Sequence, residues 1–167
     1  MSEIKTLVLN HKQIHQKIVR IAYEIYERNA GEQELVFAGV TGMGSVLAGI
    51  LAEKVREISS LEIQQVEVSL DKFTKKQPAI NVNPEVDLTD KCLLIVDDVL
   101  NSGRTLTYVM EPFVKYAVKK IEIAVLVNRS HKKFPVSADY TGYELATTLS
   151  ENIEVHLDDH DSTVYLQ

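Results

Sequence analysis

The residues best suited to chemistry lie in one run, Leu93-Leu94-Ile95-Val96-Asp97-Asp98-Val99-Leu100-Asn101-Ser102-Gly103-Arg104-Thr105. Physically it is an apolar strand, two consecutive carboxylates, a small-polar turn and a helix start. In open parallel sheets, ligands bind beyond the carboxyl ends of the strands. A turn entering a helix at that edge offers free backbone N–H groups and the positive end of a helix dipole, which suits a phosphate. Ser102 and Thr105 add hydroxyls, and Gly103 permits close backbone approach. Asp97 and Asp98 would repel a phosphate placed on them. They suit the vicinal hydroxyls of a sugar, or Mg²⁺ held through water. The run therefore asks for a ligand carrying both a sugar diol and a phosphate monoester. A bare Asp-Asp pair is ordinarily no more than a solvated strand end. The surrounding strand and Gly-containing turn, all in register, favour the site.

The elements that must position this run follow from periodicity. Ile14, Ile18, Ile21, Ala22, Ile25 and Tyr26 recur at helical spacing over 11–29, with Asn29-Ala30-Gly31 as a stop. Residues 35–40 form a short apolar run, a buried strand, followed by the Gly-rich turn Thr41-Gly42-Met43-Gly44-Ser45. A second helix continues through Leu47, Ile50, Leu51 and Val55. Residues 63–70 read as a strand and 71–90, with Pro78 and Pro84, as a long loop of the kind that is often functional. Residues 92–96 predict a buried strand ending at the acidic pair. The helix after Gly103 contains Pro112, which should kink or reposition it. Residues 121–127 predict another strand, and shorter β pieces fall near 138–142, 153–157 and 162–166. Alternating strand and helix predict an α/β fold with a mainly parallel central sheet flanked by helices, in a single domain over 1–167.

Composition narrows the class. The chain has 167 residues, 45% hydrophobic, with seven glycines and four prolines, enough for one packed core and too few for a linker-rich chain. Eighteen basic against 24 acidic residues give a net charge of −6, which argues against a broad electrostatic grip on nucleic acid. The lone Cys92 has no disulfide partner and no metal-ligand spacing, which suits a reducing compartment. No signal-peptide core and no membrane-length apolar run occur, so a cytoplasmic protein is expected. The cluster Asp158-Asp159-His160-Asp161 is contiguous rather than convergent and reads as a solvated turn.

The acidic run resembles the phosphoribosyl-pyrophosphate (PRPP) signature of type I phosphoribosyltransferases. Ile21 to Asn29, Val127 to Gly142 and the Thr148-x-Ser150-Glu151 stretch extend the likeness over nearly the whole chain. They resemble the bacterial pyrimidine-operon attenuator/uracil phosphoribosyltransferase family, the PyrR type. The resemblance implies the type I fold with a small C-terminal β hood. It implies that a base, most readily uracil, displaces pyrophosphate from PRPP with Mg²⁺ as cofactor. Asp97 and Asp98 would contact the ribose hydroxyls, and the turn Val99, Leu100, Asn101, Ser102, Gly103, Arg104, Thr105 would hold the 5-phosphate. Thr41, Gly42, Met43 and Gly44 match the pyrophosphate loop, which in the family often has a strained non-proline cis peptide. Lys72 and Lys75 would belong to a flexible hood, and Asn128, Arg129 and His131 to the loop that borders the base. Arg129 is counted with the acidic pair as a catalytic candidate. A homodimer or larger oligomer is expected through faces near 11–29 and 43–58.

Several positions depart from the family pattern. Thr41 and Met43 stand where the first loop is usually basic, which should weaken the grip on pyrophosphate. Asp71-Lys72-Phe73-Thr74 replaces a Tyr-Arg-Asp-Asp run, and Asn101-Ser102 replaces Tyr-Thr. Asn128 and Ser130 replace Asp and Gly in an Asp-Arg-Gly-His motif. Val19, Tyr23, Ser137 and Tyr143 stand where the family has Thr, His and basic residues, so RNA binding is expected to be lost. Two other readings remain open at this level: a PRPP- or nucleotide-binding regulator of pyrimidine genes with little catalysis, and an enzyme for a purine base.

Overall fold

The computed structural model describes residues 4–70, 76, 79–129, 131–148 and 150–167. The element order is β1 (Thr6–Leu9), α1 (His11–Arg28), β2 (Glu34–Val40), α2 (Met43–Ile58), β3 (Glu62–Ser69), β4 (Asn81–Asn83) and β5 (Cys92–Leu100). It continues with α3 (Arg104–Val109), α4 (Glu111–Val114), β6 (Lys120–Arg129), β7 (Tyr140–Leu145), β8 (Ile153–His156) and β9 (Thr163–Leu166). Six strands form one sheet in the order β4-β3-β2-β5-β6-β7, and β1-β9-β8 form a second, smaller sheet. Strands β3, β2, β5, β6 and β7 run parallel, and only the edge strand β4 is antiparallel.

The central strands read as continuous apolar runs because both faces are covered. Leu35 and Phe37 of β2, Leu94 and Val96 of β5, and Ala124 and Leu126 of β6 pack with α1 and α2 on one face. Val36, Ala38, Leu93, Ile95, Ile123 and Val125 pack with Leu106, Val109 and Phe113 of α3 and α4 on the other. Leu9, Leu157 and Val164 carry the smaller sheet into the first of these clusters. Helix α1 opens on a capping box: Asn10 Oδ1 accepts from the Gln13 N–H, and Gln13 Oε1 accepts from the Asn10 N–H, each at 2.9 Å. The expected stop at Asn29 is its C-cap, where Asn29 Nδ2 also donates to the Ile25 carbonyl.

Two expectations about the elements are revised, one strand is new, and the expected break at Pro112 is found. The stretch 71–90 contains β4, paired to β3 with Val68 opposite Val82, so its described part is not simply a loop. Strand β5 does not stop at Val96. Its ladder with β6 continues to Leu100 opposite Asn128, which puts Asp97 and Asp98 inside the strand. Strand β1 carries too short an apolar pattern to be read alone; it exists because β9 pairs with it antiparallel. Pro112 divides the expected helix in two and sits in the first turn of α4, where a missing N–H is tolerated.

A candidate phosphoribosyl cradle at the end of β5

Asp97 is buried, 2% exposed, and Asp98 half-buried, at the carboxyl end of β5. Each carboxylate fixes the following backbone: Asp97 Oδ1 accepts from the Asp98 N–H and Asp98 Oδ1 from the Val99 N–H, both at 2.9 Å. A cavity of about 230 Å³ opens here, lined by the unbroken run from Asp97 to Leu106 and by Ile153 of β8. Every residue expected to hold ribose and 5-phosphate therefore borders one space.

The turn is rigidly built. Gly103 lies in the left-handed region, φ 87°, which a side chain would oppose. The Ser102 carbonyl accepts from the Lys133 and Phe134 N–H groups, at 2.8 and 3.0 Å, which ties the turn to the segment after β6. Ser102 Oγ accepts from the Arg104 N–H at 3.3 Å, and the Gly103 carbonyl accepts from the Thr107 N–H and hydroxyl. Helix α3 has only six residues, so its macrodipole is small. An anion bound here would rest on backbone N–H groups and the Ser102 and Thr105 hydroxyls rather than on the dipole expected from the sequence.

The first loop abuts the acidic pair without lining that cavity. A Cβ on Gly44 would lie 2.9 Å from Asp97 Oδ1 and 2.9 Å from the Val96 carbonyl oxygen. Only glycine lets the start of α2 reach β5 at this point. Thr41 donates through its N–H and hydroxyl to the Val68 carbonyl, at 2.9 and 3.1 Å. The expected cis peptide is not in this loop; among the described residues the one cis bond is Asn83–Pro84. Gly42 turns the chain instead, at φ 98° and ψ −138°, a region open to glycine.

At the end of β6, Asn128 is buried and its Nδ2 donates to both Glu144 carboxylate oxygens at 3.1 Å. Its Oδ1 is buried without a hydrogen-bond partner. Arg129 donates through Nε to Thr147 Oγ1 (2.9 Å), through Nη1 to Asn101 Oδ1 (3.0 Å), and through Nη2 to the carbonyls of Thr148 (3.1 Å) and Glu151 (2.6 Å). Four of the five N–H donors of its guanidinium are thus committed within the chain. His131 Nε2 is bonded to the Thr147 carbonyl, so it too is engaged by the hood segment. Glu151 Oε2 accepts from the Thr148 N–H at 2.6 Å, and that bond holds the carboxyl below its ordinary range. Lys72 and Lys75 lie outside the described residues. Spacing alone gave no signal for Glu144, placed by the pairing of β7 with β6, or for Ile153, which belongs to the second sheet and lines the cavity.

Elsewhere, Asp158 Oδ1 accepts from the His160 and Asp161 N–H groups at 2.7 and 2.6 Å, which lowers its pKa to about 2. The acidic C-terminal cluster is therefore a self-capped turn. No group of three or more metal-ligating side chains occurs among the described residues.

The sheet order, the acidic pair near the carboxyl end of a central strand and the hydroxyl-rich turn after that strand define a type I phosphoribosyltransferase fold. Residues 6–160 match the phosphoribosyl transferase domain family. The chain is 35% identical over 171 residues to the bifunctional protein PyrR of Bacillus pumilus, covering 95% of this chain and 94% of that one. It is 34% identical over 167 residues to the protein of the same name from Bacillus subtilis strain 168, covering 94% and 92%. The fold is shared with a hypoxanthine-guanine phosphoribosyltransferase from Bacillus anthracis at 22% identity, TM-score 0.74, covering 86% of this chain and 84% of that one. It is also shared with a hypoxanthine phosphoribosyl transferase from Trypanosoma cruzi at 16% identity, TM-score 0.78, covering 95% and 90%. The chain belongs to the PyrR family and is a PRPP-dependent phosphoribosyltransferase.

Proposed function

We propose that the protein transfers the phosphoribosyl group of PRPP to uracil, giving UMP and releasing pyrophosphate. The observation that carries this reading is the cavity itself, in which two acids and a turn of backbone and hydroxyl donors border one space. Asp97 and Asp98 would accept hydrogen bonds from the ribose hydroxyls while the turn from Val99 to Thr105 holds the 5-phosphate. With both ends of the sugar fixed, the anomeric carbon is presented to a ring nitrogen, and catalysis is chiefly positioning and electrostatics. As the bond to pyrophosphate breaks, positive charge develops on the ribose beside the acidic pair. The first loop, Thr41 to Gly44, would receive the departing pyrophosphate through backbone donors, since neither Thr41 nor Met43 supplies a cation. The Asp97 and Asp98 carboxylates suit a Mg²⁺ that arrives with the substrate's phosphates, held through water, to neutralise charge on the leaving group.

Uracil is favoured by the likeness to the PyrR proteins and by the end of β6. Asn128 turns its amide nitrogen to Glu144, leaving an acceptor oxygen that a ring N–H would satisfy once the adjoining loop shifts. RNA binding is not part of the proposal. The chain is acidic, and Arg20 of α1 is spent on Glu24 and on the Thr141 and Gly142 carbonyls. A cytoplasmic homodimer is; Tyr23 and Tyr26 on α1 and Val46 on α2 are exposed apolar candidates for its contact.

The test is pyrophosphate release from PRPP and Mg²⁺ with uracil, hypoxanthine, guanine, xanthine and orotate in parallel. Turnover led by uracil is expected. Turnover led by a purine overturns the base assignment, and PRPP binding without turnover on any base overturns catalysis in favour of a regulator.

A further inference from the structure

Arg129 bonds two segments at once, the turn that lines the cavity and the stretch that leads into β8. One arm of its guanidinium holds Asn101, within the sugar-phosphate turn. The other arms hold Thr147, Thr148 and Glu151, immediately before β8, whose first residue Ile153 lines the cavity. The far side of this joint is itself braced. Thr148 and Glu151 bond each other, His131 bonds the Thr147 carbonyl, and Asn152 exchanges two backbone hydrogen bonds with Gln167 beyond β9. A displacement of Thr147, Thr148 and Glu151 should therefore carry the β8–β9 sheet with it.

We propose that Arg129 is a positioning residue that couples the PRPP turn to the hood, so that filling the turn sets the strand that closes the base side. The inference rests on the phosphoribosyltransferase reading and goes beyond it by assigning Arg129 to neither base nor pyrophosphate. A planar guanidinium can span four acceptors in one geometry, and an ammonium on a flexible stem cannot. PRPP fixing the turn at Leu100 to Thr105 fixes Asn101, and the shared guanidinium passes that constraint to Thr147, Thr148 and Glu151. Coupling between two ligands through such an element typically amounts to about 5–150-fold in affinity. The base should accordingly bind after PRPP, to a hood already held.

The experiment combines calorimetry, hydrogen exchange and steady-state kinetics on the full chain. In the unaltered protein, PRPP with Mg²⁺ should slow amide exchange across residues 150–157. In Arg129→Gln, PRPP should bind within about threefold of the unaltered protein. The slowing should vanish and the KM for uracil rise about 5–150-fold. Arg129→Lys should behave as Arg129→Gln, because charge without the fork does not bridge. Thr147→Val, which deletes one acceptor only, should lose part of the slowing and supplies the test should Arg129→Gln not fold. Slowing that persists in Arg129→Gln, an equal loss of PRPP and uracil affinity, or full rescue by lysine would each overturn the proposal. Failure of the unaltered protein to bind PRPP would be seen first, by calorimetry. That result refutes the phosphoribosyltransferase reading itself and the coupling with it.

Discussion

Two glycines of one helix should respond to alanine with opposite signs. Gly44 is the second residue of α2 and Gly49 lies near its middle. Helix propensity alone predicts that both substitutions stabilise, by up to about 1 kcal/mol. At Gly49 nothing opposes this, since the nearest atom to an added Cβ is the end of the Gln65 side chain at 3.8 Å. At Gly44 the added methyl meets Asp97 Oδ1 and the Val96 carbonyl oxygen at 2.9 Å and the Asp97 Cα at 3.1 Å. Two of these are backbone atoms of a central strand and the third is a buried carboxylate, so none can yield freely. Overpacking of this kind costs about 1–3 kcal/mol, which offsets the propensity gain and leaves a net loss of up to about 2 kcal/mol. For a chain of this size that lowers Tm by up to about 8 °C, whereas Gly49→Ala should raise it by about 1–4 °C. Because the strain falls on Asp97, Gly44→Ala should also weaken PRPP binding by about tenfold, or 1.4 kcal/mol. Thermal unfolding followed by circular dichroism and PRPP titration by calorimetry read both effects. A Gly44→Ala protein with unchanged or higher Tm and unaltered PRPP affinity would refute the close approach of α2 to the acidic pair.

Asp97→Asn combined with Asp98→Asn should abolish measurable PRPP binding while Tm changes little, because each amide oxygen still accepts the N–H that the carboxylate accepts; normal binding in calorimetry would refute the site. Tyr140→Phe removes a 2.9 Å hydrogen bond to the buried Glu122 carboxylate, which Asn29 and Lys120 also hold, and should cost about 1.5–3 kcal/mol in urea unfolding. Burial raises the Tyr140 phenol above its usual range, so its contribution is complete below about pH 10 and fades as pH rises further. The phenylalanine variant should lack that slope. Asp158, held at about 2 by the Asp161 and His160 N–H groups, stabilises its turn fully above the ordinary carboxylate range, about pH 3.9, and loses this as pH falls toward 2. A carboxyl NMR titration with its midpoint near 4 would show that the turn is not capped.

Much of this molecule is legible from the chain where the physics is local. The stop of α1 at Asn29, the apolar runs of β2, β5 and β6, and the glycine turn after the acidic pair all declare themselves within a few residues. What was not legible depends on pairing across long separations. β1 has four residues and no distinctive pattern; β9 makes it a strand from the other end of the chain. The persistence of β5 through Asp97 and Asp98 comes from the β6 ladder beside it, not from the carboxylates, which are poor strand formers. Arg129 shows the same limit at the site. Its residue type suggested a ligand contact, and only the fold reveals that Asn101, Thr147, Thr148 and Glu151 already claim its fork.

The departure at Asn128 follows from its neighbour rather than from the substrate alone. Asn128 and Glu144 lie opposite each other on β6 and β7, and the amide nitrogen meets both carboxylate oxygens. An aspartate at 128 would set two carboxylates within hydrogen-bond distance at a position that is 8% exposed, where like charges raise one pKa or force the pair apart. With Glu144 in place, a neutral amide is the residue that satisfies it, and the orientation of that amide is no longer free. In the proposed site, the base end would therefore meet an acceptor at Asn128, whose amide nitrogen is committed to Glu144. Glu144→Gln would release this constraint, because a neutral amide tolerates either face of Asn128. The charge at 144 and the residue at 128 thus act as one unit, and an aspartate at 128 would require the loss of the Glu144 charge.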